Sequence, residues 1–167
     1  ADSADEFQPD THPTDLLRGE ASLGRAQPEA ARAALDRFLA RHPATPRALV
    51  LRARARALLD GPESALADYR AALQQRERPG IDHVREAAAA LAAQAHRAEA
   101  ADALSRAIAE HGPDPALLSQ ALEIEVAIGR FAVALTRVDA LQAGAPRPEP
   151  WMARRAQILA QAGDHAA

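Results

Sequence analysis

The chain of 167 residues contains no cysteine, no lysine and no asparagine. Without cysteine there are no disulfides, no thiol catalysis and no thiolate metal sites, and a lipoprotein anchor has no residue to attach to in this stretch. Aromatics are scarce at 3%, and alanine carries most of the 48% hydrophobic content. Alanine has the best helix propensity and lets helices approach closely, so this composition argues for an all-α chain. No apolar run approaches the roughly 18 residues of a spanning helix. Neither sign of charge dominates. The net charge is −3, and the acids and arginines are interspersed. That is a solvated surface with no electrostatic footprint for nucleic acid. All twenty basic residues are arginine, which reads as the codon usage of a GC-rich genome rather than as selected arginine chemistry.

What the chain does have is a period. Gly61, Ala95, Gly129 and Gly163 recur every 34 residues, and the apolar positions Val50, Val84, Leu118 and Met152 step by the same interval. A fixed period of this size marks a repeat architecture, because one helix pair cannot bury its apolar face without a neighbour. The central unit runs from Ile81 to Pro113. Val84, Ala87, Ala88 and Leu91 form its first stripe, and Ala100, Leu104, Ala107 and Ile108 form its second.

Residues 1–13, with Asp2, Asp5, Glu6 and Asp10 around a lone Phe7, read as a flexible acidic arm. The array is expected over 14–167, in units 14–43, 46–79, 80–113 and 114–147 and a partial unit 148–167. The first unit has its turn at Gly24, so its spacing to Gly61 is irregular. Prolines 28, 46 and 115 suit helix starts, and His111-Gly112-Pro113 suits a helix stop. Gly163 is expected to begin a second helix that the chain does not complete, as in an excised fragment or a trimmed array. The start at Ala1 and the acidic leader fit a processed export signal, so the periplasm or cell exterior is the favoured compartment.

These residues carry a likeness. The 34-residue period, the Gly or Ala at the inter-helix turn and the run Ala65-x3-Tyr69-x2-Ala72-Leu73 resemble the tetratricopeptide repeat (TPR). Ala100-x3-Leu104-x2-Ala107-Ile108 repeats it with an aliphatic in place of the aromatic, and Ala134-x3-Val138-x2-Leu141 keeps only the first small residue. The resemblance implies an α-solenoid, a right-handed superhelix of antiparallel helix pairs whose first helices line a concave face. It further implies a non-catalytic scaffold that holds a peptide or helix of a protein partner there. The family's groove positions fall on Ala48, Leu51, Ala55 and Leu58, then on Asp82, Arg85, Ala89 and Ala92. Ala116, Ser119, Glu123 and Val126 follow, then Pro150, Ala153, Gln157 and Ala160. The binding residues are expected among Leu51, Ala55, Asp82, Arg85, Ala89, Ala92, Ser119, Glu123 and Gln157. Family members that clamp the carboxy-terminal tail of a chaperone use Lys, Asn and Arg in the groove. Only Arg85 is basic among these positions, which argues against that role.

No cofactor and no metal is expected. None of the six histidines stands three or four residues from another, and most sit at turns, at helix ends or beside prolines. Arg52, Arg54 and Arg56 read as a solvated face, and Arg85 and Glu123 as a surface ion pair between adjacent units. Trp151 is expected to be buried against the preceding helix. No nucleophile elbow, phosphate loop or carboxylate pair is present, so no enzyme is read from these residues. Two other readings remain open. The chain could be a helical accessory domain of a larger enzyme or secretion protein, or it could self-associate through its terminal repeats.

Overall fold

The computed structural model describes residues 12–166. Those residues form α1 (His12–Gly24), α2 (Pro28–Arg41), α3 (Pro46–Asp60) and, after a short 3-10 turn at Pro62–Ala65, α4 (Leu66–Leu73). Then come α5 (Ile81–Ala93), α6 (Arg97–His111), α7 (Pro115–Ala127), α8 (Phe131–Ala143) and α9 (Glu149–Ala166). No strand occurs among the described residues, so the chain is all-α as its composition predicts. It divides into two compact units, Ala1–Arg78 and Pro79–Ala167. In each, consecutive helices pack on one another, and α1 also meets α3, as α5 meets α7. Most of the expected acidic arm, residues 1–11, lies outside the described residues, and α1 opens at His12 rather than Thr14.

The turns follow from hydrogen bonding. Three of them are three-residue links whose middle residue is left-handed: Ala26 (φ 56°), Ala95 (φ 65°) and Gly129 (φ 76°). In each, the residue after the left-handed one donates its N–H five residues back. Gln27 bonds Ser22 O at 2.9 Å, His96 bonds Leu91 O at 2.9 Å and Arg130 bonds Glu125 O at 2.8 Å. This closes the helix with its last carbonyls satisfied. The first turn is therefore at Ala26 and not at Gly24. Its distance to Gly61 is 35 residues, so the first unit departs from the period by only one. Glycine marks a turn by preference, but the bond to Ser22 decides where the chain reverses. Between α3 and α4 the link shrinks to Gly61 (φ 89°), followed directly by Pro62, with the Ser64 hydroxyl donating to Gly61 O at 2.7 Å.

An L-residue held left-handed costs about 1–2 kcal/mol, which glycine avoids while losing about 0.4–1 kcal/mol of unfolded-state advantage. Ala95 is exposed, so its methyl contributes no packing. Ala95→Gly is expected to stabilise the chain by about 0.5–1 kcal/mol. A urea midpoint at or below the parent's would contradict this.

Each unit builds its core from the stripes read in the sequence. In the first, Ala31, Leu35, Phe38 and Leu39 of α2 are buried, with Leu49, Val50 and Ala53 of α3 and Leu66, Tyr69 and Ala72 of α4. Gly19 of α1 sits so close to α2 that an added Cβ would lie 2.6 Å from Cγ of the fully buried Leu35. In the second unit, Leu118 and Leu122 of α7, Ala134, Val138 and Leu141 of α8 and Ile158 of α9 form one cluster, and the half-buried Trp151 packs on it. Asp114 caps α7 by accepting from the N–H groups of Ala116 (2.9 Å) and Leu117 (3.1 Å).

Two expectations fail here. First, α9 runs through Gly163 as one helix, and Met152, whose counterparts Val50, Val84 and Leu118 are buried, is 57% exposed. In the complete pairs the second helix covers that position. Second, Arg52 and Arg56 are not a solvated face. Both reach the buried Asp68, Arg52 through Nε at 2.9 Å and Nη2 at 2.7 Å, and Arg56 at 3.4 Å. Arg52 also donates to Asp36 at 2.9 Å. Asp68 lies 16 residues beyond Arg52, on another helix, where helical spacing along α3 could not reveal it.

Candidate binding groove

An open groove of about 590 Å³ in the second unit is lined by Asp82, Arg85, Glu86 and Ala89 of α5 and by Ala116, Ser119, Gln120 and Glu123 of α7. Both helices open on their own terms. Gly80, in extended backbone, precedes α5, and Asp114-Pro115 caps α7. Residues at i, i+3, i+4 and i+7 share one side of a helix, so Asp82, Arg85, Glu86 and Ala89 face together, as do Ala116, Ser119, Gln120 and Glu123. Between the helices, the Gln120 side-chain amide donates to Arg85 O at 2.8 Å. The two rows meet along a floor of Ala89, Ala116 and Ser119, whose side chains are all short.

The charges are arranged within the groove and at its edge. Arg85 lies 3.7 Å from Asp82, one turn earlier on the same helix, and the Asp82 side chain is 94% exposed. Glu123 does not pair with Arg85. It accepts from Arg154 Nη2 of α9 through both carboxylate oxygens, at 2.8 and 2.7 Å. The expected Arg85–Glu123 bridge is thus replaced by one pair within α5 and another reaching α9. A partner three residues away on the same helix is always within reach, whereas inter-helix partners depend on packing. Arg85 Nε and Gln120 Oε1 are buried with no hydrogen-bond partner.

Of the expected binding residues, this groove gathers Asp82, Arg85, Ala89, Ser119 and Glu123. Ala92 is half-buried and does not line it, and Gln157 is exposed on α9, where it accepts from Arg154 at 3.5 Å. Ala55 is fully buried and cannot be touched by a ligand. Leu51, nearly buried, lines a separate groove of about 620 Å³ in the first unit with Leu23, Leu58, Tyr69, Glu20 and Arg54. That surface is mostly apolar, and Leu58 stands 66% exposed in its wall. The family positions missed Glu86 and Gln120. Both stand four residues beyond a groove residue, Asp82 and Ala116, and helical spacing alone finds them.

A third cleft, lined by Arg32, Asp36, Arg52 and Arg56, holds cations that already face carboxylates: Arg32 meets Asp60 at 3.2 Å, and the other two meet Asp68. Among the described residues no three metal-ligating side chains come together, and no helix is long and apolar enough to cross a membrane.

No protein-family model and no curated protein matches the sequence. Solved structures do match the fold. YrrB, described as a TPR protein with an unusual peptide-binding site, superposes with a TM-score of 0.71 at 16% identity, over 90% of this chain and 77% of that one. MamA superposes with a TM-score of 0.68 at 15% identity, over 93% and 82%. The fold of this chain is the TPR fold, as the resemblance implies.

Proposed function

We propose that the chain is a non-catalytic interaction scaffold and that the groove between α5 and α7 holds a peptide or helix of a protein partner. One observation carries the reading. Six residues at the groove positions that the tetratricopeptide resemblance implies, Asp82, Arg85, Ala89, Ala116, Ser119 and Glu123, line a single open groove. Its short-chain floor lets a ligand backbone approach, and its charged rim can orient one. Two carboxylates of the groove stand in ion pairs, Asp82 with Arg85 and Glu123 with Arg154. They are not grouped as acid and base around a nucleophile. A similar fold in a protein described as having a peptide-binding site is in keeping with this reading.

The test is partner capture from the source organism's extract with the parent chain and with Ala89→Trp. Ala89 is exposed in the groove, so an indole there fills the site without disturbing the core. A partner held by the parent and lost by a variant of unchanged far-UV circular dichroism is the expected result. Equal retention by both chains would remove the groove from the function.

A further inference from the structure

We propose that the free face of α9 docks an amphipathic helix of a separate protein, one that sets a large apolar residue between two small ones in the pattern small-x3-large-x2-small. The face is the stripe of Met152, Ala156 and Leu159, which share one side of the helix at i, i+4 and i+7. Met152 is 57% exposed, Leu159 is 48% exposed, and Ala156 is exposed between them. A different side of α9 anchors it to the second unit, through the fully buried Ile158 and through Trp151 on the same cluster. The stripe is therefore free of the core.

The repeat shows what such a stripe meets. One and two periods earlier the same places hold Leu118, Leu122 and Glu125 of α7 and Val84, Ala88 and Leu91 of α5, and all six are buried. In both pairs a second helix follows a tight turn and packs along the first. Met152-Ala156-Leu159 repeats the large-small-large order of Val84-Ala88-Leu91. The helix that packs on α5 is α6, whose buried Ala100, Leu104 and Ala107 run small-large-small. Large side chains of one helix enter the gaps above small ones of the other, so the two orders are complementary. A helix with the order of α6 thus fits α9, and apolar anchors at this spacing are how an amphipathic helix is gripped.

The same comparison excludes nearer occupants. In a second copy, Ala100-Leu104-Ala107 is already buried on α5, and a second α9 presents the same order rather than its complement. Residues 1–11 set their one large apolar side chain, Phe7, between Ser3 and Asp10. The occupant is a helix of another protein.

The probe is the α6 sequence as a free peptide, residues 97–111, fluorescently labelled and blocked at its ends. It is titrated with the full chain and followed by anisotropy. Saturable binding is expected, weakened about tenfold or more by Met152→Glu with Leu159→Glu in the chain. Leu104→Asp in the peptide is expected to weaken it as much. Both chain substitutions replace exposed side chains, and circular dichroism checks that the fold is kept. Ala89→Trp, in the α5–α7 groove, is expected to leave the affinity unchanged, so this test and that of the groove fail separately.

Equal affinity for the parent and the Met152→Glu, Leu159→Glu chain would overturn the proposal, as would no binding up to about 1 mM peptide. A parent that sediments as a dimer, beside a double variant that sediments as a monomer, would show a second copy on the stripe and overturn it too.

Discussion

Arg137→Ala is expected to lower the unfolding free energy by about 3–5 kcal/mol, the usual cost of stripping the partner from a buried charge. The charge is Glu125 of α7, which is fully buried. Arg137 of α8 approaches its Oε1 through Nε at 3.4 Å and Nη2 at 3.2 Å, and Nη2 also donates to the Ser105 hydroxyl of α6 at 2.8 Å. Ser105 in turn lies 3.5 Å from the same oxygen, while Oε2 has no partner. Removing Arg137 leaves a carboxylate with one weak hydroxyl contact. The repeat suggests the compensating change. One period earlier the equivalent residue is Leu91, also fully buried. Glu125→Leu combined with Arg137→Met is therefore expected to recover most of the loss, because apolar replacements of buried ion pairs are often neutral or stabilising. Urea denaturation followed by circular dichroism measures both. A loss under about 1 kcal/mol for Arg137→Ala would place it in the range of a surface pair and sink the idea.

The second large effect is in the first unit. Asp68→Ala is expected to cost about 2–3 kcal/mol, the value of charged hydrogen bonds lost from a buried acceptor. Asp68 receives two bonds from Arg52 and one from Arg56, and Arg52 extends the link to Asp36, so one guanidinium ties α2, α3 and α4 together. Asp68→Asn keeps one acceptor oxygen and is expected to lose less. The hydrogen bond from Arg52 to Asp68 is the main reason the guanidinium pKa is raised above its ordinary value, against the opposing effect of burial. A group whose pKa rises on folding gives stability that is complete below its unfolded value and is lost only as pH climbs through the folded one. Here that window lies far into the alkaline range, so Arg52 adds no pH dependence across the neutral range. Denaturation midpoints of parent and Asp68→Ala at neutral pH give the comparison. Equal midpoints would mean that Asp36 and solvent satisfy Arg52 unaided.

By itself the sequence determined the helical class, the period and most helix boundaries. These are local or translational properties. Alanine propensity, prolines at 28, 46 and 115 and Gly112 past His111 act within a few residues, and a 34-residue period repeats whatever packing it encodes. The groove positions Asp82, Arg85, Ala89, Ser119 and Glu123 came from the family resemblance rather than from the period itself, and the structure brings these five to one groove. Tertiary structure alone decided which residues the charges meet. Arg52 finds Asp68, Arg137 finds Glu125 and Arg154 takes Glu123 from Arg85, all across helix pairs whose separation in sequence carries no signal. It also decided burial where the repeat is broken. Met152 matches Leu118 in register but lies exposed, because a side chain is buried by the helix that covers it and not by its position in a pattern.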